Sequence, residues 1–360
     1  MGLPSPTQRS KRVDQLIAVD LGGCQTKALH LHRKGQAWTL ANVVTLDPPP
    51  ADKARTPEVL AEHFKAILGG LGNPRVKHIA VALGVDEAIL KQIELPMMGL
   101  DDVRQLLKLN SKTYLQQDLP DYIFDCVYLP PRESAPAPTA EATPKASAQQ
   151  KFKVLVSGAP RKVIEAVQAA AKLAGLVAES IVPSMIGPAN AFECVEPDAF
   201  NKEVVGLVDI GYKHSSIVIL DAGEVVLHRV MTLGGERLTL GLAEAMGISP
   251  HEADGIKIGM PTEIQPTLEA VINPLGRELR ASLDFFEHKH DKPITQVFVS
   301  GGSARNDIII QALQNELMVP CRNWNPVRFL QLAVPPGKTE EIEQLGPQLS
   351  VAIGAAISSF

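Results

Sequence analysis

The chain has 360 residues, 45% of them hydrophobic, and a formal net charge of −5 at pH 7. This length predicts about two domains, each large enough to bury a core. The net negative charge, without a long block of Lys or Arg, argues against nucleic acid as the main partner. No segment approaches the roughly 20 apolar residues that cross a bilayer, so we expect no direct membrane insertion. The four cysteines lie far apart, which favours reduced thiols in a cytoplasm over a disulfide framework or a zinc site.

A buried apolar run that begins at Leu16 predicts the first central strand, which ends at Asp20. Gly22 and Gly23 follow at once, and glycine lacks the Cβ that would keep a ligand away from the backbone. The Asp20 carboxylate would hold a hydrated Mg²⁺, backbone N–H groups of the turn would face phosphate oxygens, and Lys27 would add a positive charge. An ordinary hairpin explains this stretch equally well when it is taken alone.

Further elements follow in the first half of the chain. Thr56 and Pro57 predict the start of a helix, because threonine caps helices and proline fits their first turn. Residues 77–83 predict a short buried strand. A second helix is predicted after Asp101, and residues 122–129 predict the next strand.

Two segments lack the pattern of a folded element. Residues 1–13 are mostly polar and proline residues, and we expect them to be disordered. Residues 130–150 are rich in Pro, Ala, Thr and Ser and lack large apolar side chains, which predicts a flexible loop. A tolerated insertion is favoured over a partner-binding segment, because loop length costs little free energy.

A second copy of the Asp-x-Gly pattern lies near residue 209. Asp209 and Gly211 repeat Asp20 and Gly22, and an apolar strand follows each pair. Each copy then returns through a turn that contains glycine. Two hairpins of one design predict a duplicated domain.

A third glycine turn ends another predicted strand. The apolar run at 297–299 leads into Gly301, Gly302 and Ser303, ahead of a helix predicted at 307–317. Such a turn lets a flat ring approach the main chain.

The rest of the second half has a helical pattern. Helices are predicted to start at 234–236 and at Ser249, and apolar residues recur every three or four positions over 266–286. Residues 348–357 predict a closing helix whose small side chains allow tight packing.

Asp-x-Gly twice, followed by Ser-Gly-Gly, resembles the actin-like ATPase superfamily, in which two related halves close on ATP and Mg²⁺. Further stretches are similar, in order and spacing, to the PilM family of type IV pilus assembly and, less closely, to FtsA of cell division. The resemblance covers nearly the whole chain. The stretches that carry it are Ile93–Pro96, Phe152–Pro160, Gly234–Glu236, Leu275–Phe286 and Asn325–Pro326.

The resemblance implies an α/β protein with a duplicated actin-like (ribonuclease H-like) fold, a small inserted α+β lobe and a helical upper lobe. The expected domains are a first actin-like domain at 14–84 and 180–200, the inserted lobe at 85–179, and a second actin-like domain at 201–360 with the helical lobe at 236–290.

The resemblance also implies an ATP site in which Asp20 and Asp209 hold Mg²⁺ through water, with no residue assigned to catalysis. Glu236 and Lys257 match positions on the ribose and adenine side, and a helix-capping acid and a solvated lysine are the alternative. The full predicted nucleotide site is Asp20, Gly22, Gly23, Cys24, Lys27, Asp209, Gly211, Tyr212, Lys213, Gly234, Gly235, Glu236, Lys257, Gly301, Gly302 and Ser303.

Several side chains depart from the family pattern. Gly23 stands where hydroxyl residues are usual, and Tyr212, Lys213 and His214 replace small residues. Two interpretations are open: Lys213 bonds phosphate, or Tyr212 narrows the pocket. Val182 stands where many members have Glu before a proline, and no acid or amide in that connecting segment orients water. We therefore expect slow or absent ATP hydrolysis.

The resemblance implies a cytoplasmic scaffold, peripheral to the inner membrane. In the family, a short N-terminal peptide of a PilN-like inner-membrane protein binds where the inserted lobe meets the main domain, which recruits the pilus alignment complex. Self-association is left open. The alternatives are an FtsA-like filament-forming division protein and a small-molecule kinase of the same superfamily, and the kinase would need a catalytic Asp for which no candidate stands out.

Overall fold

The structure is a computed structural model, and it describes residues 13–49, 56–129, 151–259, 262–335 and 337–360. The chain forms two compact units. The small unit is Asp86–Glu165, and the large unit combines the described residues up to Val85 with Ala166–Phe360. The expected disordered start, apart from Val13, and the expected loop at 130–150 lie outside the described residues.

The strands of the described residues form three sheets. They are β1 (Gln15–Asp20), β2 (Thr26–Lys34), β3 (Ala37–Leu46), β4 (His78–Leu83), β5 (Ile89–Pro96), β6 (Tyr122–Tyr128), β7 (Lys151–Pro160), β8 (Val177–Pro183), β9 (Val204–Ile210), β10 (Ser215–Asp221), β11 (Glu224–Met231), β12 (Gln296–Gly301), β13 (Cys321–Asn323) and β14 (Gln331–Leu332).

The α-helices lie between and after these strands. They are α1 (Pro57–Gly70), α2 (Leu100–Leu115), α3 (Arg161–Leu173), α4 (Gly187–Val195), α5 (Pro197–Lys202), α6 (Gly235–Met246), α7 (Pro250–Gly259), α8 (Gln265–His290), α9 (Asp307–Leu317), α10 (Thr339–Leu345) and α11 (Ser350–Ile357).

The two sheets of the large unit repeat one topology. Their strand orders are β14-β3-β2-β1-β4-β8 and β11-β10-β9-β12-β13. In each, three antiparallel neighbours are joined to two further parallel strands. The predicted duplication is therefore present strand for strand, and β14 adds an extra edge strand beside β3.

Local sequence explains the ends of several elements. Thr56 caps α1 by accepting a hydrogen bond from the backbone of Val59, as its position before proline predicts. Gly35 and Gly223 turn the two hairpins with φ of 63° and 80°, a left-handed conformation that side chains disfavour. The helix predicted at 307–317 is confirmed.

Helices α4 and α11 cross within the large unit and contact each other along glycine surfaces. A Cβ on Gly187 would lie 2.8 Å from the carbonyl oxygen of Val351, and a Cβ on Gly354 would overlap the carbonyl oxygen of Gly187. The predicted closing helix begins at Ser350 rather than at residue 348, because a 3-10 turn that contains Pro347 precedes it.

Two apolar clusters fill the large unit. One collects side chains from both sheets around Phe192, Phe298 and Trp324. The other packs the second sheet against α8, whose apolar stripe ends in Phe286. The predicted amphipathic helix at 266–286 is confirmed and continues to His290.

The small unit is a three-stranded antiparallel sheet in the order β5-β7-β6, packed against α2. Its core consists of alternate residues of the strands together with one face of the helix, as in Phe124, Val154, Val103 and Leu107. The domain boundaries given above stay a prediction.

Candidate functional site

The first glycine loop joins β1 to β2. Asp20 ends β1 and pairs across the hairpin with Lys27 of β2, and Lys27 Nζ lies 3.4 Å from Asp20 Oδ2. A Cβ on Gly22 would lie 2.7 Å from the carbonyl oxygen of Gln25, so this turn requires glycine. The loop therefore offers a carboxylate and an ammonium group side by side.

The second glycine loop joins β9 to β10 with the same backbone design. Asp209 pairs across the hairpin with Ser216, which takes the place of the lysine. A Cβ on Gly211 would lie 2.8 Å from the carbonyl oxygen of His214, three residues on, as in the first loop. The duplication thus extends to the close backbone contact within each loop.

The tips of both loops are exposed. Gly23 and Cys24 lie at the tip of the first loop, and Tyr212 and Lys213 at the tip of the second. Burial raises the pKa of the Cys24 thiol, and among the charges that act on it is the carboxylate of Asp254 in α7. The first loop therefore lies near a helix of the second half of the chain.

The Asp209 carboxyl group is held by hydroxyls below the surface, although part of the residue reaches solvent, and Asp20 is buried. Ser300 Oγ donates a hydrogen bond to its Oδ1 at 2.9 Å, and Ser350 Oγ donates to the same oxygen at 3.4 Å. Burial raises the pKa of Asp209, while the hydroxyl of Ser300 and the charge of Lys27 oppose that shift. The charge of Asp20 adds to the rise in this pKa, and α11 links the two strand ends, because Val351 packs against Ala82, the strand partner of Asp20.

The third glycine turn follows β12 and contacts the second loop. Gly301 has a φ of 93°, and a Cβ there would overlap the carbonyl oxygen of Ile210. Ser303 is buried, with its Oγ 3.1 Å from the position of a Cβ on Gly235, whereas Gly302 is exposed. Glycine at 301 therefore allows the turn and the loop to touch.

The start of α6 is bonded to the second loop. The backbone of Gly235 donates to the carbonyl oxygen of Gly211 at 2.8 Å, and that of Glu236 donates to Tyr212 at 2.9 Å. A Cβ on Gly234 would overlap the carbonyl oxygen of Tyr212. Glu236 also helps to raise the pKa of the Tyr212 hydroxyl, after burial.

Both the side chain and the backbone carbonyl group of Lys257 in α7 have hydrogen-bond partners. Its Nζ donates to Thr239 Oγ1 of α6 at 2.6 Å and lies 2.7 Å from Asp254 Oδ1. Its carbonyl oxygen accepts a hydrogen bond from Asn306 Nδ2, just after the third glycine turn. The lysine therefore connects two helices and the turn, rather than lying free in solvent.

Five residues that hold these groups in place were not predicted from the sequence. Ser300 and Ser350 each interrupt an apolar run, which is a signal for a buried hydroxyl with a specific partner. Asp254 lies three residues before Lys257, a spacing at which helical side chains meet. Thr239 and Asn306 give no comparable signal. The nucleotide-binding roles of the sixteen predicted residues stay predictions.

The segment after β8 supplies no group that would orient a water. Val182 and Pro183 end the strand, and Ser184–Ile186 forms a 3-10 turn without an acid or an amide. Across the described ranges, no three His, Cys, Asp or Glu side chains gather in a group that could hold a metal ion. Nor does any helix in the described part of the chain combine the length and apolar character of a membrane span.

Solved structures share this fold. A chain of the "PilM-PilN type IV pilus biogenesis complex" superposes with a TM-score of 0.79 and 22% sequence identity, over 97% of this chain and 99% of that chain. The ethanolamine utilization protein EutJ from Carboxydothermus hydrogenoformans superposes with a TM-score of 0.52 and 16% identity, over 99% of this chain and 90% of that chain. Identities this low show the fold alone, and the predicted duplicated α/β fold of actin-like type is confirmed.

A family model described as "Type IV pilus assembly protein PilM" matches residues 18–360, which include both glycine loops, the third turn and the closing helix. Because this match covers almost the whole chain, the protein belongs to the PilM family of type IV pilus assembly proteins.

Proposed function

We propose that the protein is an ATP-binding scaffold of type IV pilus assembly. The observation that carries the proposal is that α11 links two glycine loops of the same design: Ser350 donates to Asp209, and Val351 packs against Ala82, the strand partner of Asp20. A triphosphate carries more negative charge than one loop can surround. Backbone donors of two loops, Lys27 and a divalent cation together offset that charge.

The donor set near Asp209 suits Mg²⁺ held through water. A single carboxylate with waters and phosphate oxygens is a common environment for this ion, which keeps part of its hydration shell. The hydroxyls of Ser300 and Ser350 both donate to Asp209 Oδ1, which leaves Oδ2 for a metal-bound water. Mg²⁺ would screen phosphate charge next to the Asp209 carboxylate.

We further propose that hydrolysis is slow or absent. Val182 and the turn that follows it contain no acid or amide to orient an attacking water. Electrostatic stabilisation of phosphate without a positioned water supports binding more than turnover. The nucleotide would then act as a switch between open and closed arrangements of the two halves.

For the partner, we propose a PilN-like inner-membrane protein that docks through a short N-terminal peptide. The family membership supports this choice, as does the similarity to a chain solved in a PilM-PilN complex. The protein would then act in the cytoplasm and reach the inner membrane through that partner.

Titration calorimetry with ATP and Mg²⁺ tests the nucleotide site. We expect one equivalent of nucleotide to bind the wild-type chain, and a D209N variant to bind Mg-ATP more weakly. A wild-type chain that is folded but takes up no adenine nucleotide would overturn the proposal. Turnover above about 1 per second, an ordinary enzyme rate, would overturn the claim of slow hydrolysis.

Fluorescence anisotropy with a labelled PilN-like N-terminal peptide tests the partner. We expect saturable binding that a scrambled peptide of the same composition does not reproduce. Equal affinity for both peptides would count against specific recruitment.

A further inference from the structure

A buried serine begins helix α11 beside the second carboxylate. Ser350 has no exposed surface, and its Oγ donates to Asp209 Oδ1 at 3.4 Å. Ser300, which is also buried, donates to the same oxygen at 2.9 Å. Two strands and one helix therefore meet at a single carboxylate oxygen.

Ser350 is not explained by the helix that contains it. Leu349 is the N-cap of α11 and makes no side-chain cap, so Ser350 does not serve as the capping residue. The following residues of α11 are small or aliphatic, and a hydroxyl among them costs free energy unless it is hydrogen-bonded. Ser300 already donates a hydrogen bond to Asp209. The additional bond from Ser350 therefore links the Asp209 carboxylate to α11.

Helix α11 also contacts elements of the first half of the large unit. Val351 and Ala355 pack against Ala82 of β4. Asn190 Nδ2 of α4 donates to the carbonyl oxygen of Gly354 at 3.3 Å, where the two helices cross on glycine. A displacement of the first turn of α11 therefore reaches α4 and β4 through close backbone contacts, which leave little free volume to absorb it.

We propose that Ser350 is a positioning residue that ties the Asp209 carboxylate to α11, so that Mg-nucleotide at Asp209 is coupled to the crossing of α4 and α11. The proposal rests on the proposed nucleotide site. With Oδ1 fixed by two hydroxyls, the free oxygen faces a metal-bound water in one orientation. Loss of Ser350 leaves the carboxylate bonded to Ser300 alone and cuts its link to the helix.

The test compares S350A with S300A and with S358A in the full chain. Ser358 lies at the other end of α11, where its Oγ donates to the carbonyl oxygen of Ala355, so S358A is a matched control. Calorimetry gives the affinity for ADP with Mg²⁺ and with a chelator. Hydrogen exchange reports the protection of α4 and α11 when Mg-ADP binds.

We expect Mg²⁺ to increase ADP affinity about fivefold less in S350A and S300A than in the wild-type chain, which is the size of one modest hydrogen bond. We also expect Mg-ADP to slow hydrogen exchange in α11 of the wild type, S300A and S358A. In S350A, Mg-ADP should not slow it. Thermal unfolding without ligand tests whether S350A is folded. If it is not, S350C takes its place, and its weaker donor should give a smaller loss in the same direction.

The outcomes separate the two proposals. Nucleotide uptake by S350A with unchanged Mg²⁺ dependence and unchanged protection of α11 would overturn the role of Ser350 alone. A wild-type chain that binds no nucleotide would overturn the proposed site as well.

Discussion

The two glycine loops have the same backbone and different surroundings. In both, a Cβ on the first glycine would meet the carbonyl oxygen three residues on. The first carboxylate, Asp20, lies beside the ammonium group of Lys27. The second, Asp209, is bonded by two serine hydroxyls and faces a serine where the first loop has its lysine.

This difference indicates a division of roles after duplication. The backbone geometry that brings main-chain donors close to a ligand is kept in both halves, since it depends on glycine rather than on side chains. The charge differs: the first loop pairs its carboxylate with a cation, whereas the second holds a carboxylate that two hydroxyls bond and whose pKa burial raises. Under the proposed function, the first loop would attract phosphate and the second would face the metal-bound water.

The largest expected effect is a loss of stability where the third glycine turn packs against the second loop. G301A places a Cβ against the backbone of Ile210 at a φ of 93°, whereas a Cβ on Gly23 meets no atom within 4 Å. We expect G301A to lower the free energy of unfolding by about 3 kcal/mol. G23A should change it by less than about 1 kcal/mol. Urea denaturation measures both, and equal losses would contradict the comparison.

The next effect separates the two carboxylates by affinity. D209N should weaken Mg-ATP binding about 30-fold, because it removes the charge that orients the metal-bound water. D20N should cost less, about fivefold, because it also frees Lys27 for phosphate. Calorimetry with a chelator provides the control, since D20N should then bind ATP at least as well as the wild type. Equal losses for the two variants would show that the carboxylates act alike.

A smaller effect distinguishes the two hairpins by pH. In β2, His30 is buried and its Nε2 lies 2.9 Å from that of His32, whereas the second hairpin has Ile219 at the corresponding position. Burial, with His32, lowers the pKa of His30 to about 4. Because this pKa is lowered in the folded state, neutral His30 makes its full contribution to stability above pH 6.5. That contribution is lost as the pH falls through the folded-state pKa.

H30I gives the first hairpin the side chain of the second. Between pH 6.5 and 4, we expect the wild type to lose about 1.5 kcal/mol more stability than H30I, after allowance for partial exposure of the histidine pair. Denaturation at a series of pH values measures this difference, with H251A as a control on an exposed helix. An H30I chain as acid-sensitive as the wild type would exclude His30 as the source.

Features formed by residues that are adjacent in the chain could be predicted from the sequence, and contacts between distant residues could not. The loops at Asp20 and Asp209 and their hairpins are visible because strand, acid and glycine are adjacent in the chain. The link between Ser350 and Asp209 spans 141 positions, and only the folded chain brings those residues together. The partners of Lys257 were missed for the same reason, since Thr239 and Asn306 belong to other elements.

The smallest expected effect is a gain in the free energy of unfolding from a mutation in the candidate site, where a loss is usual. Because burial raises the folded-state pKa of Asp209 above its unfolded value, the wild-type carboxyl contributes stability only at low pH, and that contribution is lost as the pH rises through the folded-state pKa. At pH 7 without ligand, D209N should therefore be more stable than the wild type by about 1 kcal/mol, and the gain should vanish on acidification.

D20N serves as the control for this gain, because it removes the ion-pair partner of Lys27 rather than a carboxylate bonded only by hydroxyls. We expect it to destabilise the chain by about 1 kcal/mol, because the pair is mostly buried and D20N leaves the Lys27 charge without its partner. Urea denaturation at pH 7 and at pH 4 compares the three chains. If D209N gained nothing at pH 7, the two serine hydroxyls would already offset the cost of burying Asp209. The second loop would then be as well compensated as the first, and the raised carboxyl pKa would no longer distinguish them.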